Sequence, residues 1–142
     1  MGRLTKERIE ELRHLSVLEH CDRHELATLA GVLREQTFRA DQVLCRAGDC
    51  ADEVWFVRRG NLGVRMRGSV VETVGAGDIA GELGVLGGTG RSADLVALDD
   101  GSVYVTSATS LRWVMAECPG LRRAVTPLLA ERTAANEARC GV

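Results

Sequence analysis

Between residues 81 and 93 the chain reads Gly-Glu-Leu-Gly-Val-Leu-Gly-Gly-Thr-Gly-Arg-Ser-Ala. A lone carboxylate, Glu82, stands nine residues before a lone guanidinium, Arg91, and the glycines at 81, 84, 87, 88 and 90 allow the segment to fold tightly around something small. Glycine lets backbone N–H groups approach a ligand closely, and the planar fork of an arginine suits a phosphate. Glu82 cannot serve that phosphate, because two anions repel; its chemistry is to accept hydrogen bonds from hydroxyls. Phosphate and sugar hydroxyl together specify a nucleotide. The dinucleotide and nucleoside-triphosphate loops are excluded: G-x-x-x-x-G-K-[ST] is absent, and Gly75-Ala76-Gly77-Asp78-Ile79-Ala80-Gly81 breaks the G-x-G-x-x-G spacing at Ala80.

Gly81-Glu82-Leu83-Gly84, the spacing after it and Arg91-Ser92-Ala93 resemble the phosphate-binding cassette of the cyclic nucleotide-binding domain family, the type found in the bacterial catabolite activator protein and the regulatory subunits of protein kinase A. The resemblance extends more weakly from about residue 15 to residue 137. It implies that Glu82 accepts from the ribose 2′-hydroxyl, that Arg91 pairs with the cyclic phosphate, and that Ser92, Ala93 and main-chain N–H groups at Gly81, Leu83 and Gly84 complete the cradle. For the base end it points to Asn136 and Glu137 on the last helix, where this chain departs from the hydroxyl residues of the activator protein, and Val64 and Val71 are candidate apolar walls. Asp94 adds negative charge near Arg91. The ligand implied is cAMP, ahead of cGMP, with no other cofactor and no metal.

The elements that must hold these groups are legible in outline. Residues 5 to 33 carry Ile9, Leu12 and Leu15, then Leu26, Leu29 and Leu33, at helical spacing. Asp22 is the expected N-cap of the second helix, with Glu25 reaching back in a capping box. From Phe38 to Thr106 short β-branched runs at 54–57, 62–66, 70–74 and 103–106 alternate with turns at Arg59-Gly60-Asn61, Arg67-Gly68-Ser69 and Asp99-Asp100-Gly101. This pattern predicts a mainly β, α+β architecture: a double-stranded β-helix jelly-roll barrel flanked by helices. The expected divisions are N-terminal helices over 1–36, the barrel over 37–107 with the cassette at 81–93 as a loop insertion, and C-terminal helices over 108–142. A helix over Thr109–Glu117 ends at Cys118-Pro119-Gly120. Leu121, Val125, Leu128 and Leu129 continue an apolar face, but Pro127 cannot donate an intrahelical bond, so a hinge is expected there, with Thr126 capping a last helix to about Arg139. In the resembling family these helices close over the ligand and carry the signal.

The remaining features narrow the class. A net charge of −2 offers no general attraction for nucleic acid, and low aromatic content argues against base-stacking platforms. No apolar run approaches the roughly 20 residues that span a bilayer, and the N-terminus lacks the apolar segment of a signal peptide, so a cytoplasmic, membrane-free domain is expected. The five cysteines are an odd number without C-x-x-C spacing and read as reduced thiols, with Cys45 and Cys50 as small buried fillers. His20 and His24 read as solvent-facing rather than as zinc or haem ligands. All three histidines precede residue 25, and Glu82 lacks a second acid–base partner, so neither cupin chemistry nor phosphodiester hydrolysis is expected. Arg122-Arg123 and the charges from Arg132 to Arg139 read as a solvated helix face. The expectation is a non-catalytic regulatory sensor whose C-terminal helices signal to an effector domain or partner protein. The alternatives are a ligand-free barrel that docks proteins or dimerises, and a sensor of another anionic or redox ligand.

Overall fold

The computed structural model describes residues 3–88 and 90–139. Helix α1 (Arg3–Arg13), a 3₁₀ turn (Ser16–Leu18) and α2 (Arg23–Ala30) precede eight strands: β1 (Arg34–Phe38), β2 (Val43–Cys45), β3 (Glu53–Arg59), β4 (Asn61–Met66), β5 (Ser69–Gly75), β6 (Ile79–Ala80), β7 (Asp94–Ala97) and β8 (Gly101–Ser107). The short helix α3 (Glu82–Leu86) lies between β6 and β7, and α4 (Ala108–Glu117) and α5 (Pro119–Arg139) follow β8. The anticipated strands are β3, β4, β5 and β8. β1, β2, β6 and β7 are additional; two of them are only two or three residues long and lack a readable alternation.

The strands do not close into a barrel, which corrects the jelly-roll barrel expected from the turn spacing. They form two open antiparallel sheets of four strands, ordered β1-β8-β3-β6 and β2-β7-β4-β5. The chain changes sheet at every connection except the β4–β5 hairpin; two of the corners are the glycine turn between β3 and β4 and Asp99-Asp100 between β7 and β8. At these corners side chains take over from ladder bonds. Asp99 accepts from Asn61 N at 2.7 Å and from Asn61 Nδ2 at 2.9 Å, and Asp100 accepts from Ala40 N at 2.8 Å. A backbone group satisfied by a carboxylate is not available to continue a sheet.

The two sheets face each other over Phe38, Trp55, Val57, Leu62, Val74, Leu95, Val103 and Val105, while the outer face of the first sheet packs Val54, Phe56, Ile79 and Tyr104 against the helices. Alternate residues of β3 therefore enter different cores, which is the two-residue period of a strand covered on both sides and explains its unbroken apolar run. The second sheet has one wet face and reads less clearly.

Asp22 caps α2 by accepting from Glu25 N at 2.9 Å. The reciprocal half of the expected capping box is replaced: Glu25 Oε2 accepts from Gly120 N at 2.8 Å and so ties α2 to the start of α5. Helix α5 runs unbroken through Pro127, correcting the expected hinge and the cap at Thr126. Proline removes the bond to the carbonyl of Arg123, but both residues are exposed, so water can satisfy that oxygen, while Leu121 and Val125 are fully buried and fix the preceding turn.

Candidate functional site

The cassette starts with a backbone requirement. Gly81, at φ 87°, is the left-handed N-cap of α3, and a Cβ there would stand 2.8 Å from the Trp55 ring and 2.9 Å from a terminal nitrogen of Arg91. Only glycine meets both conditions without strain. The turn it permits points Glu82 inward, where the residue is 1% exposed.

Arg91 comes from the other end of the loop and is 7% exposed. Backbone bonds with the loop after β2 anchor it: its N–H donates to Asp49 O and its carbonyl accepts from Gly48 N, both at 2.9 Å. One terminal nitrogen donates to Gly81 O at 2.8 Å, the other donates to Glu53 O, and the guanidinium lies 4.8 Å over the Trp55 ring. These partners are carbonyls and an aromatic face; among the described residues no carboxylate pairs with Arg91, and its buried Nε has no acceptor. A buried cation without a counter-anion costs several kcal/mol, so the site is built to receive a negative group.

Glu82 has the complementary arrangement. Its Oε1 accepts from Arg132 of α5, and its buried Oε2 has no donor. Arg132 also donates to Ile79 O at 2.7 Å and holds its Nε 3.9 Å from Glu72 Oε1. The cavity between these groups, about 100 Å³, is lined by all seven cassette residues expected from the sequence: Gly81, Glu82, Leu83, Gly84, Arg91, Ser92 and Ala93. Val64 and Asn136 line it as well. Val71 lies in a separate hollow, and Glu137 is exposed and does not reach the cavity. Asp94 accepts from Ala47 N at 2.8 Å and from Arg65 at 3.0 Å, contacts that hold its carboxyl below the usual carboxylate range and engage its charge away from Arg91.

Sequence reasoning missed Arg132, Trp55, Glu72 and Cys45. Arg132 is not part of a solvated face: its side chain is 16% exposed. A signal existed, because Arg132 lies one helical repeat before Asn136 and so shares its face. Trp55 gave none, since the same residue type at the same place serves equally as inter-sheet core. Cys45 is half-buried, packed against the inter-sheet core and on the cavity wall, where desolvation pushes its thiol up; Cys50 is exposed and is not the buried filler expected. His20 and His24 are both exposed, and Cys140 lies outside the described residues. Among the described residues, no cluster of metal-ligating side chains occurs and no helix is long and apolar enough to cross a membrane.

A family model described as the cyclic nucleotide-binding domain matches residues 35–118. An uncharacterised NTE-family protein of Mycobacterium tuberculosis is 32% identical over 133 residues, covering 90% of this chain and 23% of its own length. The cyclic nucleotide-gated channel alpha-4 of Mus musculus is 27% identical over 119 residues, 78% of this chain and 21% of the channel. This chain thus spans under a quarter of the length of either relative. Among solved structures, cAMP-bound PfPKA-R superposes with a TM-score of 0.84 at 20% identity over 97% of this chain and 48% of that one.

Proposed function

We propose, from the premise that this chain belongs to the cyclic nucleotide-binding domain family, that it is a non-catalytic regulatory sensor of a cyclic nucleotide, cAMP ahead of cGMP. The observation that carries the reading is the pair of buried, half-satisfied charges. Arg91 Nε lacks an acceptor and Glu82 Oε2 lacks a donor, and the two residues line one cavity. A cyclic phosphate offers the acceptor and a ribose hydroxyl offers the donor, so one ligand answers both deficits. Ser92 adds a hydroxyl at the phosphate end; Val64 provides an apolar wall and Asn136 a donor and acceptor for the base edge.

Output runs through α5. Arg132 occupies one oxygen of the carboxylate that ribose would use, so ligand binding and the position of α5 are linked through Glu82. A nucleotide that competes for Glu82 changes the seat of Arg132 and shifts the population of α5 arrangements. The partner receiving that shift is an effector domain or protein, in keeping with the small fraction of the relatives that this chain spans.

The test is parallel calorimetric titration with cAMP and cGMP, with Arg91→Ala as control and hydrogen exchange of residues 119–139 as the readout of output. Saturable binding lost in the variant, with altered exchange in α5, is expected. Equal binding by parent and variant would remove the assignment of Arg91; unchanged exchange at saturation would remove the role of α5.

A further inference from the structure

A second hollow, of about 560 Å³, lies beside the cassette at the β4–β5 hairpin. Ser92, Ala93 and Asp94 line both it and the cassette cavity, so the two spaces meet along the segment that follows Arg91. The far side is formed by Arg65, Met66, Arg67 and Val71. Val71 is directed there by a β-bulge: Val64 pairs with Glu72 and Arg65 with Val70, which leaves Val71 without a cross-strand partner and 39% exposed. Bulges re-aim side chains beside binding sites. Arg67, on the tight turn at φ 54°, is exposed and has no acidic partner among the described residues. Arg65 gives its Nε and one terminal nitrogen to Asp94, which leaves the other terminal nitrogen outside that pair. The hollow thus combines an apolar floor with an unneutralised cation, the requirements of a nucleobase and a phosphate.

The hollow, at about 560 Å³, falls within the roughly 300–1,000 Å³ of small-molecule pockets. In a 3′,5′-cyclic mononucleotide both phosphate esters return to one sugar, so the phosphate ends the ligand. In a dinucleotide the phosphate is in the middle, with a nucleoside on either side. A phosphate at Arg91 and Ser92 lies at the junction of the two spaces. We infer that the β4–β5 hollow is a second subsite, which accepts the far nucleoside and second phosphate of a cyclic dinucleotide whose first phosphate is held by the cassette. The inference rests on the proposed phosphate role of Arg91. The near ribose faces Glu82, the far base lies over Met66 and Val71, and Arg67 meets the second phosphate.

The experiment is calorimetric titration of the intact chain with cyclic di-AMP, cyclic di-GMP, linear pApA and cAMP, each also in competition with cAMP. It is repeated on Arg67→Asn, which tolerates the left-handed turn, and on Val71→Glu at the exposed bulge, after circular dichroism has verified that both fold. At least one cyclic dinucleotide is expected to bind and displace cAMP, with both variants weakening it tenfold or more and changing cAMP binding less than twofold. Binding of cAMP with no competition by a cyclic dinucleotide overturns the inference and leaves the mononucleotide reading standing. So does competition that neither variant weakens, or a preference for pApA over both cyclic forms. No binding of any of the four overturns both.

Discussion

Arg58 and Arg91 stand in two regions of this molecule, the first partly and the second almost wholly buried, and their surroundings treat them in opposite ways. On the outer face of the first sheet, Arg58 of β3 donates two bonds to Glu11 of α1, both at 2.7 Å, and a third to Glu35 of β1 at 3.0 Å; Tyr104 of β8 also donates to Glu11. Every charge there has an opposite charge, and the network fastens α1 to the strands. In the cassette, Arg91 is more buried and receives only carbonyls and an indole face. The difference separates two uses of a guanidinium: one completes a structure, and the other is held in a shaped cavity with its counter-charge missing. The third buried orphan, Thr106 Oγ1, is a neutral hydroxyl within β8 and carries no such deficit of charge.

The sharpest way to break this contrast is Arg91→Ala. Losing a charge-assisted bond costs about 1.5–3 kcal/mol, so cyclic nucleotide affinity should fall about 10- to 100-fold or more, as read by calorimetry, while the melting temperature without ligand holds or rises. Replacing Gly81 by alanine places a side chain at a positive φ and against Trp55 and Arg91. A loss of about 1–3 kcal/mol of stability is expected, measured by urea denaturation, together with weaker binding. Glu82→Gln keeps the volume but alters the acceptor: the parent should prefer cAMP over 2′-deoxy-cAMP by about tenfold, and the variant should lose most of that preference in competition titrations.

The smallest expected effect belongs to the paired network. Hydrogen bonds from Arg58 and Tyr104 lower Glu11 to about 2, from an ordinary value of 4.5. Since the folded value is the depressed one, the stabilisation is complete above about pH 4.5 and disappears as pH falls towards 2. Glu11→Gln should cost only about 1 kcal/mol at neutral pH, because the carboxylate is partly solvated. The variant should also flatten the acid limb of a pH–melting-temperature curve, with nucleotide affinity unchanged.

Much of this arrangement is written locally. The glycines and charges of 81–93 announce a phosphate loop because backbone freedom and charge type are properties of the residues themselves. The cap at Asp22 and the turn at Arg67-Gly68 are equally local. The helical stripe of Leu26 and Leu29 and the apolar run of β3 follow from short-range periodicity. Other features depend on which distant segments meet. That the strands stay in two open sheets depends on Asp99 and Asp100 reaching Asn61 and Ala40, contacts that join residues 38 and 60 positions apart. Whether Pro127 breaks α5 was settled by the burial of Leu121 and Val125, which outweighs one missing bond whose acceptor faces water. The partner of Glu82 lies 50 residues along the chain, and only the packing of α5 across the cavity brings Arg132 to it. A residue's type sets which bonds it can make; the free energy of burying it, fixed by the assembled neighbours, selects the one it makes.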